Sequence, residues 1–213
     1  YDAFNARARN VLWKRMKKNL FDAGVDAWWL DASEPEINSL QGALHPYRTR
    51  IGSGAKYLNA FSLEHAKGVY ENQRRVSKDK RVFMLSRSGF AGQQRYASAV
   101  WSGDIGHGWD FLKRQIPAGI NYCLSGLPYW TTDIGGFFGG DNKDPHYREI
   151  FMRWFQYGAF CPIFRAHGTV SPREVWQFGR SAEKILVNYL KLRYRLLPYI
   201  YSVSWKVTRD GYT

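Results

Sequence analysis

Residues 24–38, GVDAWWLDASEPEIN, carry a largely apolar run, Val25 to Leu30, straight into Asp31, and then place Glu34 and Glu36 around a proline. A short run rich in tryptophan, entered from a glycine, has the length and composition of a buried strand. Before it, residues 5–22 set Val11, Leu12, Trp13, Met16 and Leu20 at helical spacing, and Gly24 closes that helix. A helix therefore feeds a strand that ends in a carboxylate.

The same unit recurs along the chain. Residues 42–57 are rich in Gly, Pro and Arg and read as a loop, followed by a helix to about Arg75. KRVFMLSRS is the next strand and ends at Arg87; YASAVWSGD follows and ends at Asp104. A helix from Trp109 to about Ala118 leads to YCLSGLPYWTTDIGG, which ends at Asp133. PHYREIFMRWFQYGAF reads as a helix, FCPIFRAHG as a fifth strand reaching His167, and Ala182 to Val207 as a long last helix.

Strand-like runs alternating with helices predict an α/β protein with a parallel sheet. Polar residues at the carboxyl ends of successive strands are what a (β/α)8 barrel uses for its active site, because the βα loops converge on that face. Five units do not close eight. The expectation is a partial TIM barrel holding about the fourth to eighth strands, with residues 1–213 as the C-terminal part of a catalytic barrel whose first strands and flanking β domains lie elsewhere.

Composition narrows the partners. The chain has 213 residues, 45% hydrophobic and 17% aromatic, with 9 Trp, 14 Tyr and 13 Phe. That can build a sizeable core and leave flat apolar faces over for stacking on sugar rings or bases. The net charge of +13 alone suggests a polyanion partner. However, the basic residues are scattered through helical segments such as RARNVLWKRMKKNL, with no nucleic-acid-binding motif beside them, so a solvated helix face is the expected reading. Cys123 and Cys161 lie in apolar runs and read as buried thiols. No zinc-ligand spacing, signal-peptide core or membrane-spanning run is present. The chain opens on YDAFNARARN without an initiator Met, so compartment stays open, as does oligomeric state.

Two carboxylates in one pocket suit cleavage of a glycosidic bond, one as acid and base while the other attacks carbon or activates water. Asp31 and Asp104, each ending a strand-like run, are candidates. Taken singly, either is more simply an N-cap or turn residue, and DIGHG and DIGGF do look like turns. Against that stands the coincidence of Asp31, Arg87, Asp104, Asp133 and His167 all at strand ends.

The motifs WWLDASEPE, SRSGFAGQQRY, WSGD, YWTTDIGGF and FRAHG, in that order, resemble the catalytic barrel of glycoside hydrolase family 31, the retaining α-glycosidases, over almost the whole chain. The resemblance implies Asp31 as catalytic nucleophile and Asp104 as general acid/base. It implies that Arg87, Asp133 and His167 hold sugar hydroxyls, that Trp29 and Trp101 line the cleavage subsite, and that Glu34 orients its neighbours without reacting. Each has a plainer reading as well. Trp28 and Trp29 alternate across a strand, so one of them belongs to the core. Arg87 can simply tie two strands, although an arginine beside Asp31 or Asp133 would also keep that carboxylate ionised. Arg95 has no assigned role.

The implied reaction is double displacement without metal or organic cofactor, with a carbohydrate as partner and neither nucleic acid nor membrane. DASEPE departs from the commoner DMNEP form and is closer to the bacterial α-xylosidase branch. The expected activity is therefore exo-hydrolysis of terminal non-reducing α-linked xylose, as in xyloglucan oligosaccharides. An α-glucosidase or α-transglycosylase on the same barrel is the alternative, and a non-catalytic polyanion-binding module the remote one.

Overall fold

The computed structural model describes residues 1–36 and 47–212. Residues 37–38 of the opening stretch and 42–46 of the expected loop lie outside the described residues. The chain divides into two compact units, Tyr1–Val100 and Trp101–Thr213.

In the first unit, α1 (Ala6–Met16) begins where the Asn5 side chain accepts the Arg7 amide at 2.9 Å, satisfying one of the unpaired first-turn donors. A π-helical turn, Lys17–Phe21, carries it to the end that the apolar spacing predicts. Strand β1 (Trp28–Leu30) follows. Inside the expected loop a small antiparallel hairpin forms, β2 (Arg48–Thr49) and β3 (Gly52–Ser53), with the Thr49 hydroxyl donating to the Gly52 carbonyl across its turn at 2.9 Å. Helices α2 (Gly54–Tyr57) and α3 (Phe61–Val76) lead to β4 (Met84–Ser86) and β5 (Ser98–Trp101). The strands β1, β4 and β5 run parallel in that order, with Leu30 opposite Ser86 and Ser86 opposite Val100. Their carboxyl ends are thus level, and the residues that follow them emerge at one edge.

The core of this unit gathers Trp13 from α1, Trp28 and Leu30 from β1, Ala66 and Val69 from α3, and Val82 and Met84 at β4. Trp28 is 5% exposed and donates its indole N–H to Oε1 of the buried Gln73 at 2.7 Å, whereas Trp29 is 55% exposed. The alternation of a strand makes that choice. Trp28 is the core member of the pair.

The second unit contains α4 (Trp109–Leu124), β6 (Trp130–Thr131), α5 (Pro145–Gly158) and α6 (Arg180–Asp210). Helix α4 continues past the expected end at Ala118, through Pro117. Pro117 is exposed, so the carbonyl that loses its partner faces water, while Leu112, Gln115 and Gly119 are buried on the inner side. A Cβ at Gly119 would come within 2.7 Å of the Trp130 ring, so glycine there admits the close approach of helix and strand. Helix α5 starts on Asp144, whose carboxylate accepts the His146 amide at 2.9 Å, with Pro145 in the first turn. Ile134, Tyr147, Phe151, Trp154, Phe178 and Leu186 form the core, with the Phe151 and Phe178 rings stacked at 3.9 Å.

The expected fifth strand, FCPIFRAHG, is not one. Its only ladder contact among the described residues is a single parallel bridge from Ala166 to Ile134. Pro162 has no N–H to give a ladder. The guanidinium of Arg193 on α6 instead donates to the carbonyls of Ala159, Cys161 and Pro162, and the Thr131 hydroxyl donates to that of Ile163 at 2.7 Å. Side chains take the acceptors that a neighbouring strand would have used.

Candidate active site

Asp31 leaves the end of β1 with its side chain 44% exposed, and Arg87 leaves the end of β4, where its amide still donates to the Leu30 carbonyl at 3.1 Å. The parallel register brings the two side chains together: Arg87 Nη1 lies 3.1 Å from Asp31 Oδ1. The rest of the guanidinium is taken by the loop after β1. Its Nε and Nη2 donate to both oxygens of Glu34, at 2.8 and 3.0 Å, and Nη2 also donates to Glu36 Oε2 at 2.6 Å. The fork geometry of arginine makes this possible; a lysine could not serve three carboxylates in fixed directions. The hydrogen bonds that Arg87 donates to Glu34, and after them the one to Glu36, hold its pKa above the ordinary arginine range, against the lowering effect of burial. Asp31 Oδ1 also accepts the Ala32 amide at 2.8 Å, and Ala32 adopts φ +52°, a left-handed turn at which the chain doubles back behind the carboxylate. Trp29, two positions before Asp31, shares its side of the strand and is exposed.

The second unit holds another aspartate–arginine pair. Asp133 is completely buried after β6 and is paired with Arg165, whose guanidinium lies over the Trp101 ring at 5.4 Å. Trp101 is 2% exposed at the end of β5, and the following Ser102 shares a hydroxyl hydrogen bond of 2.9 Å with Thr132. His167 is half-buried and stacks on Phe137, centroids 5.6 Å apart. Asp104 is exposed, on the turn that Gly103 opens at φ +77°.

The structure thus gathers Asp31, Glu34 and Arg87 in one cluster, and Trp101 and Asp133 in another around Arg165. Three contributors stand outside the sequence-derived candidates: Glu36, Arg165 and Phe137. Arg165 had a readable signal. It lies two positions before His167, the spacing that puts two side chains on one side of an extended segment. Phe137 had none, since nothing in its own neighbourhood distinguishes a stacking phenylalanine from a core one. Among the described residues no group of three or more His, Cys, Asp or Glu could hold a metal ion, and no helix is long and apolar enough to cross a membrane.

Parallel strands that alternate with helices and deliver carboxylates at their carboxyl ends define a domain of the TIM-barrel class. The family model of the TIM-barrel domain of glycosyl hydrolases family 31 matches residues 1–203. The α-xylosidase of Saccharolobus solfataricus is 49% identical over 216 residues, spanning 100% of this chain and 29% of that protein. The crystal structure of an α-xylosidase of the same family from Xanthomonas citri superposes with a TM-score of 0.92 at 43% identity, covering 99% of this chain and 24% of that one. A dextranase of the family from Flavobacterium johnsoniae, solved with glucose, gives a TM-score of 0.90 at 31% identity, covering 99% of this chain and 27% of that one. The chain belongs to glycoside hydrolase family 31, and spans roughly a quarter to a third of the length of these relatives.

Proposed function

We propose that these residues are the C-terminal part of the catalytic barrel of a longer retaining α-glycosidase that releases terminal α-linked xylose. The observation that carries the reading is the strand-end placement of Asp31, held through Oδ1 by both Arg87 and its own turn. Both contacts fall on one oxygen, so Oδ2 is the atom that attacks the anomeric carbon. Asp104, exposed on the turn that follows β5, donates its proton to the leaving oxygen and then activates the water that frees the sugar with retention. This requires the two carboxyl groups to stand roughly 5–5.5 Å apart in the working enzyme. Trp29 supplies an aromatic wall beside Asp31 and His167 holds sugar hydroxyls, while Asp133, completely buried, steadies Arg165 behind them.

The xylose reading is supported by the two α-xylosidases at 49% and 43% identity. The glucose-bound dextranase at 31% identity favours the second reading, an α-glucosidase. An aromatic wall that excludes a hydroxymethyl group separates the two sugars. A pocket that merely lacks a contact discriminates by only about 1–3 kcal/mol. In the longer enzyme, kcat/KM for aryl α-xylosides is expected to exceed that for the matching α-glucosides; the reverse order selects the second reading. Asp31→Ala should be inactive and should regain turnover with azide, giving an azide product of inverted configuration. Asp104→Ala should still cleave substrates with good leaving groups. Retained activity in Asp31→Ala would remove the assignment of the nucleophile altogether.

A further inference from the structure

Beneath the Asp31–Arg87 pair lies a ring of hydrogen bonds that joins the two strand-end loops. After the left-handed turn at Ala32, Ser33 points back into the protein, and it and Ser86, the last residue of β4, are 2% and 1% exposed. Their hydroxyl oxygens are 2.8 Å apart. The Ser86 hydroxyl donates to the Ser88 carbonyl at 2.8 Å, and the Ser88 amide donates to the Ser33 hydroxyl at 3.2 Å. Because the Ser86 proton is committed to Ser88, the Ser33 proton must point at Ser86. The three bonds therefore run head to tail in a closed ring: Ser33 to Ser86, Ser86 to the Ser88 carbonyl, and the Ser88 amide back to Ser33. The fully buried Gln93 braces it, donating to the Ser88 carbonyl and to the Ser98 hydroxyl, each at 3.0 Å.

Asp31 lies two residues before Ser33, and Arg87 lies between Ser86 and Ser88. The ring spans the shortest covalent paths to both side chains of the pair, and it is shielded from the water that would otherwise exchange with its bonds. We infer that Ser33 and Ser86 are positioning residues: their hydroxyl ring fixes where the Asp31 carboxylate stands relative to Arg87, and so aims Oδ2 at the anomeric carbon. This rests on the reading of Asp31 as nucleophile.

A displacement of about 1 Å at a reacting group can cost on the order of 100-fold in rate. Ser33→Ala, made in the longer enzyme, opens the ring and leaves the Ser88 amide only its longer bond, 3.4 Å, to the Ser86 hydroxyl. The expected result is a roughly 10–100-fold fall in kcat with aryl α-xylosides at little change in KM. The deciding comparison is the same substitution placed in Asp31→Ala and assayed with azide. With no nucleophile left to aim, Ser33→Ala should there cost nothing, whereas a merely structural role would lower both rates alike. Ser33→Cys, near in size but a weak donor, is read in the same two backgrounds and decides the matter if the alanine variant does not fold. Equal losses in both backgrounds, or no loss in the first, overturn the inference. Failure of azide to rescue Asp31→Ala itself would instead strike at the nucleophile, and the ring inference would fall with it.

Discussion

Each unit ends its strands in an aspartate–arginine pair, yet the two pairs are opposites in burial. Asp31 is half exposed and shares a nearly buried guanidinium with two glutamates. Asp133 is fully buried and has Arg165 as a direct partner beneath the Trp101 ring. An exposed carboxylate on a saturated arginine can meet a substrate at little cost to the fold. A buried one is bound into the fold, and its charge must stay compensated. Under the proposed function, the same two residue types thus divide into a reacting group and a supporting one according to what surrounds them.

Exchanging the consequences of the two aspartates tests this most severely. Asp31→Ala should reduce kcat by on the order of 10⁴-fold or more, while changing stability in urea by less than about 1 kcal/mol, as for exposed ion pairs. A large loss of stability there would break the contrast. Asp133→Ala should do the reverse in the first instance, lowering urea-measured stability by about 3–5 kcal/mol, because it takes from the half-buried Arg165 the fully buried carboxylate it is paired with.

Next in size is the response to pH, which should separate the units. In the first, His65 stacks on Phe61, and its Nδ1 lies 2.6 Å from the Tyr1 hydroxyl. Burial holds its pKa down to about 4 from an ordinary 6.5. Its folded form binds the proton less well than its unfolded form, so stability present above pH 6.5 drains as pH falls toward 4, by at most about 3 kcal/mol. In the second unit, burial pushes Tyr147 up to about 12 from 10.0, against the lowering effect of Arg173. There the unfolded phenol ionises first, so stability present below pH 10 is lost as pH rises toward 12, by a similar amount. Amide exchange followed across pH should show acid loosening α3 first and alkali α5 first. Uniform loosening at both extremes would erase the distinction.

The smallest effect concerns the third carboxylate on Arg87. Glu36→Gln removes one charge from an exposed partner, and urea unfolding should change by less than about 1 kcal/mol. A larger effect would mean that Glu36, and not Glu34, holds the guanidinium in place.

What the sequence made legible follows from which interactions are local. Strand β1, the core role of one tryptophan of the pair and the strand-end position of Asp31 all follow from period-two alternation within a few residues. The union of Asp31, Glu34 and Arg87 was visible as motifs, but its geometry depends on the β1–β4 register, which spans more than fifty positions and which no local pattern encodes. The Ser33–Ser86 contact was hidden for the same reason. Helix α4 outran its expected end because a proline on a solvent-facing side obstructs little. The fifth strand failed because its carbonyls found partners on a helix that begins well downstream.

That last substitution moves where the sequence must be specific. A strand is held by repeated bonds from backbone to backbone, and its tolerance is spread over all its positions. The segment from Ala159 to Pro162 gives three carbonyls to one side chain, so the information that shapes it is written at position 193, while its own residues are released to serve packing or turns. Sequence drift within the segment can be absorbed, but drift at Arg193 alters a stretch of backbone some thirty residues away.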